Sequence, residues 1–202
     1  LNAKAADERA HWHRTLIHKW IKDNPPALGS AWEPYPTSLR KVNWIKWAMA
    51  GNTLCADARN SLAVQARWLS RRLEYHLLGN HLFANAKALI FAGFYFEGEE
   101  AQSWFNCGSA ILEGELREQI LPDGGQFELS PMYHALALED MLDLVNVAQT
   151  YGRTGLADNW RSRIPDMMRW LQAMSHPDDG VAFFNDSANG IAPANADYLD
   201  AL

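Results

Sequence analysis

L-L-G-N-H-L-F-A-N-A-K-A-L at residues 77–89, read together with L-P-D-G-G-Q-F-E-L-S-P-M-Y-H at residues 121–134, decides how this chain folds. Each stretch sets polar residues capable of acid/base chemistry at the start of an otherwise apolar helix: Asn80 and His81 in the first, Tyr133 and His134 in the second. A helix start carries free N–H groups and partial positive charge, so it attracts a carboxylate and favours a phenolate over a phenol. Two such starts point to an acidic ligand. The helix from Asn80 carries Leu82, Phe83, Leu89, Ile90, Phe91 and Phe94 nearly all round, as expected where neighbours cover both sides.

Outward from these blocks the periodicity predicts consecutive helices over 4–23, 38–50, 56–78, 80–96, 99–120, 131–151 and 158–175. Breaks fall at N-P-P (24–26), P-Y-P (34–36), P-D-G-G (122–125) and H-P-D-D-G (176–180). No useful run of period-2 alternation appears, so the fold class is all-α. Helices of about 20 residues joined by alternately short and longer loops predict stacked antiparallel hairpins, which an (α/α) toroid and an α-solenoid both satisfy.

With 202 residues, 48% of them hydrophobic, the chain can bury a substantial core and reads as one compact domain over 1–202. It lacks a run of about 18 uncharged apolar residues and a basic-then-apolar leader, so no membrane partner is expected. Its first residues already follow a helical pattern and Leu202 closes no element, from which we expect a piece of a longer chain. The net charge of -6 argues against nucleic acid. Residues 1–100 hold 13 Lys/Arg against 9 Asp/Glu, and residues 101–202 hold 5 against 15, which together make the 18 and 24 of the whole chain. Arg40, Lys41, Lys46, Arg67, Arg71, Arg72 and Lys87 of the basic half either meet a polyanion or form ordinary solvated helix faces. Cys55 and Cys107 lack metal-site spacing, and two free, mostly buried thiols are expected in preference to a single Cys55–Cys107 bridge.

At 100° per residue Asn80, His81, Ala84, Asn85 and Ala88 share a sector of about 140°. Alanines beside polar heads leave space for a ligand, or else Asn80 is an N-cap, His81 a buried hydrogen-bonded histidine, and the alanines serve helix packing. Ser130 fits an N-cap and Pro131 the first helical position, which puts Tyr133 in the first turn. A tyrosine with an ordinary pKa near 10 needs help to act as a base, and the helix start with His81 or His134 would supply it. Glu128 either orients a histidine or a sugar hydroxyl or makes a cap, and Asp123-Gly124-Gly125 is a turn. Trp32, Tyr35, Trp44, Trp47 and Trp104 offer flat rings for sugar faces or for a core, while Arg40 and Asn43 suit carboxylate or sulfate. His11 and His13 point to different helix faces, H-E-x-x-H, G-x-S-x-G and phosphate loops are absent, and we expect neither metal nor cofactor.

The two opening blocks, with W-E-P-Y-P-T-S-L-R-K-V-N-W at residues 32–44 and F-F-N-D-S-A at 183–188, resemble the helical domain of the heparinase II/III-like polysaccharide lyases, from about Trp32 to Pro193. The resemblance implies an incomplete (α/α) toroid of antiparallel helical hairpins whose chain continues into a C-terminal β-sandwich domain absent here. It implies β-elimination of an acidic, uronate-containing polysaccharide (heparan-like, alginate-like or an exopolysaccharide) in a bacterial periplasm or outside the cell. It matches Asn80 and His81 to ligands of the substrate carboxylate and makes Tyr133 catalytic; residue chemistry and position add His134 as a second catalytic candidate, and Arg40, Asn43, Trp44, Asn85 and Glu128 as substrate-binding ones. Gln126 departs from the histidine expected in many relatives. Two rivals are a toroidal glycoside hydrolase using Asp123, Glu128 or Asp140, and a noncatalytic carbohydrate-binding scaffold.

Overall fold

The computed structural model describes residues 3–77, 79–193 and 198, with side chains from residue 8 onward. They form eight helices: α1 (Ala3–Asp23), α2 (Pro34–Met49), α3 (Ala56–Leu69), α4 (Asn80–Tyr95), α5 (Glu99–Gln119), α6 (Pro131–Thr150), α7 (Thr154–Arg161) and α8 (Ile164–Ala173), with one 3-10 turn at Ser30–Trp32. No strand occurs among the described residues, and the all-α expectation holds. Two isolated antiparallel bridges, Ile120 with Gln126 and Ser175 with Val181, close the P-D-G-G and H-P-D-D-G turns.

Three boundaries differ from expectation, each for a local reason. α2 begins at Pro34 rather than 38, because P-Y-P lies in the first turn, where the N–H groups that proline lacks would have no helical partner anyway. α3 stops at Leu69, and the end expected at residue 78 lies outside the described residues. Beyond it the backbone N–H of Glu74 is taken by the Asn85 side chain at 3.1 Å, a tertiary bond replacing a helical one. The helix expected over 158–175 is two helices, α7 and α8. Pro165 cannot donate to Arg161 and sits in the first turn of the second.

The contacts divide the chain into two compact units: residues 1–75 with 84–108, and residues 76–83 with 109–202. In the first, α3 packs on α1 and α2. There α4 and α5 run antiparallel and touch through glycine. A Cβ on Gly93 would stand 2.6 Å from Phe105 Cβ, and one on Gly108 would stand 2.7 Å from the Ala86 carbonyl oxygen. Residues 82–92 of α4 are buried without a break, which explains its all-round apolar surface. In the second unit α6, α7 and α8 pack on one another around Leu138, Met141, Leu144, Ala157, Trp160 and Met167.

Candidate active site

The catalytic residues expected from sequence all fall in the second unit, at helix starts whose flanking loops are tied down by hydrogen bonds. α4 begins at Asn80 itself, so Gly79 stands at the cap position with φ +84. A Cβ there would lie 2.7 Å from Glu128 Oε1, so glycine is needed both for the backbone turn and for the carboxylate's approach. The Gly79 carbonyl accepts from Gln119 Nε2 at 2.8 Å, and Gln119 is buried.

Glu128 is oriented by Gln126, whose amide nitrogen donates to Glu128 Oε1 and whose carbonyl oxygen accepts from the Glu128 N–H, both at 3.0 Å. Gln126, whose role the sequence leaves open, is therefore the buried bracket of the carboxylate. The turn before it needs its glycines. A Cβ on Gly124 would come within 2.4 Å of the Asp166 carbonyl carbon, and one on Gly125 within 2.5 Å of Trp170 Nε1. Asp123 accepts from the Gly125 N–H at 3.0 Å, so it serves the turn as expected.

Ser130 caps α6, accepting from the Tyr133 N–H at 3.4 Å. The F-F-N-D-S-A segment closes on the same helix start: Ser187 Oγ lies 3.1 Å from Ser130 Oγ and accepts from the Met132 N–H, while Asn185 Nδ2 donates to the carbonyls of Glu128 and Leu129. Tyr133 is half-buried, and its hydroxyl makes no hydrogen bond among the described residues.

His134 is not placed for proton transfer to a ligand. It is fully buried, its Nδ1 accepts from the Gln126 N–H at 3.2 Å, and its Nε2 lies 2.8 Å from the Met167 carbonyl, with its ring 4.5 Å from that of Trp170. These partners fit only the neutral ring with hydrogen on Nε2. Burial lowers its pKa to about 4, against the smaller opposing pull of the Met167 carbonyl and the Asp123 charge. The folded state therefore keeps His134 neutral while the unfolded chain takes up a proton below the ordinary 6.5, so stability is lost as pH falls from 6.5 towards 4. That loss is roughly 3 kcal/mol, from the gap between the two values at 1.36 kcal/mol per pH unit. Urea midpoints at pH 7.5 and pH 4.5 measure it, and in His134→Gln the difference should shrink; an unchanged difference would assign acid sensitivity elsewhere.

The expected substrate-binding residues of the first unit are mostly interior. Arg40 donates to Gln65, Thr37 and the Ala31 carbonyl, and its guanidinium stacks 3.8 Å from the centre of the Trp20 ring. Trp44 is buried edge-on to Trp20, and Trp32 and Trp104 are buried too, so these rings form core rather than sugar platforms. Asn85 is buried, donating to Ser38 Oγ at 3.1 Å and Glu74 Oε2 at 2.9 Å, which uses its amide inside the fold. Asn43 alone of that set is exposed. Lys41 and Lys87 are buried as well, so the basic half is not a continuous surface for a polyanion. Cys55, expected inside, is an exposed N-cap of α3 that accepts from the Ala58 N–H, and Cys107 is half-buried; both thiols are free.

A sequence profile of the family described as "Heparinase II/III N-terminus" matches residues 7–199. The chain belongs to this family. A heparin-sulfate lyase of Pedobacter heparinus is 32% identical over 83% of this chain and 27% of its own length. One of Bacteroides stercoris is 36% identical over 56% of this chain and 17% of its own length. The crystal structure of the heparan sulfate lyase HepC from Pedobacter heparinus superposes with TM-score 0.61 at 26% identity, over 85% of this chain and 29% of that one. Heparinase III superposes with TM-score 0.65 over 82% of this chain and 27% of that one, at 22% identity, which speaks for the fold alone. The chain thus spans less than a third of the length of the relatives it matches.

Proposed function

We propose that this chain is the helical part of a longer polysaccharide lyase, built as an incomplete (α/α) toroid, that cleaves a heparan-sulfate-like uronate polymer by β-elimination. The observation that carries the reading is the joining of the two helix starts: Gly79, directly before Asn80 and His81, is held against the Glu128 loop that leads into Tyr133. Heparan sulfate is preferred to alginate because the family relatives named above are heparin- or heparan-sulfate lyases. A sulfated polymer of that size is met outside the cytoplasm, so we place the protein in the periplasm or beyond it.

In this mechanism Asn80 and His81 hydrogen-bond the uronate carboxylate and stabilise the enolate-like state formed when the C5 proton leaves. Tyr133 exchanges the proton on its side of the ring: it takes the C5 proton, or it protonates the departing O4, according to the uronate's configuration. The electron pair of the C5–H bond becomes the C4–C5 double bond as the C4–O bond breaks. His81 takes the complementary proton step, because both nitrogens of His134 are committed to backbone. Glu128 orients the Asn80 turn rather than acting in a hydrolytic carboxylate pair, and Asp123 is occupied by its own turn.

Ultraviolet absorbance of the new double bond decides between this reading and its rivals. The full-length protein with heparan sulfate should gain that absorbance in step with new chain ends. New reducing ends without it would establish a hydrolase, and affinity without product would leave a binding scaffold.

A further inference from the structure

Resting on that reading, we propose that Gln119, the last residue of α5, is a positioning residue that sets the place of Asn80. A peptide group is planar, so the Gly79 carbonyl and the Asn80 N–H move as one unit. Gln119 holds that plane through the carbonyl at 2.8 Å, its amide nitrogen being steadied in turn by Glu115 Oε2 at 2.5 Å. From another direction the Glu128 carboxylate occupies the space a side chain at Gly79 would fill. Glu128 is itself fixed by Gln126, and the Gln126 backbone by His134, which is anchored to Met167 of α8. The peptide that delivers Asn80 is thus located by α5, by the 126–128 loop and, through it, by α8.

Such placement matters because a displacement of about 1 Å at a reacting group can cost on the order of 100-fold in rate. Gln119→Met keeps the length and bulk of the side chain and removes the donor. In the full-length enzyme it should lower kcat by roughly 10- to 100-fold while KM stays within about twofold, since carboxylate stabilisation is strongest in the transition state. Gln119→Glu supplies a second signature. When ionised, a carboxylate at 119 repels the Gly79 carbonyl and Glu115; when protonated, it donates to that carbonyl as the amide does. Its kcat relative to wild type should therefore rise as pH falls. Gly79→Ala disturbs the same peptide from the Glu128 side and should reproduce the loss of kcat at constant KM.

Melting curves and amide hydrogen exchange at residues 80–83 accompany each variant. Faster exchange there with unchanged global melting supports local positioning. A Gln119→Met enzyme with wild-type kcat, beside an inactive Tyr133→Phe enzyme, overturns the positioning role and leaves the lyase reading intact. Wild-type kcat in both overturns both. If Gln119→Met does not fold, a pH-independent Gln119→Glu to wild-type ratio overturns the proposal.

Discussion

Tyr133→Phe in the full-length enzyme should lower turnover by roughly 100-fold or more, the scale expected when a positioned acid/base group is removed, while leaving the fold in place. The substitution deletes one oxygen and conserves volume, so the packing of the half-buried ring is kept. The hydroxyl bonds to nothing among the described residues, and what fixes the residue is its backbone, through the N–H that Ser130 caps. Stability and chemistry are therefore separable at this position. Thermal melts of the variant should overlay those of wild type, and the loss should appear in kcat on the true substrate. A Tyr133→Phe enzyme with near-normal turnover would show that the proton moves through another group, and His81 would be the next residue to substitute.

Fold class is legible in this sequence because helical period and breaker residues agree over long stretches, and because α4 is apolar nearly all round. Two of the misplaced boundaries share one cause: prolines at 34 and 36 read as a break and Pro165 is silent inside a long periodic run, although proline is tolerated in a helix's first turn. The site is legible only in part. Asn80, His81 and Tyr133 stand at helix starts as expected, and Ser130 caps as expected. Gln119 carries no signal, since its partner is a backbone carbonyl 40 residues earlier and no pattern of side chains announces such a bond. His134 and Asn85 mislead for a related reason: residue type shows capacity for proton transfer or hydrogen bonding, whereas burial and existing partners decide whether that capacity is already used. Arg40 and Trp44 look ligand-facing by chemistry alone, yet the Trp20 ring packs against both.

Lys41 should make the protein more stable as pH rises above neutrality, and replacing it with methionine should stabilise the protein at neutral pH. Its side chain is fully buried on α2, and its amine has no hydrogen-bond partner among the described residues. Burial lowers its pKa from 10.5 to about 7, and the neighbouring Arg40 guanidinium adds a smaller push in the same direction. Between those values the unfolded chain binds a proton that the folded chain does not, so protons favour unfolding. Stability therefore climbs across that window and is lowest below about pH 7. The gap corresponds to on the order of 5 kcal/mol at 1.36 kcal/mol per pH unit. Methionine keeps the length of the side chain and removes the buried donors, so Lys41→Met should raise the urea midpoint most at pH 7 and progressively less towards pH 10. Wild type and variant should then converge. Parallel pH profiles for the two proteins, or a destabilised Lys41→Met, would mean that the amine has a partner in solution and that its burial is not the source of the slope.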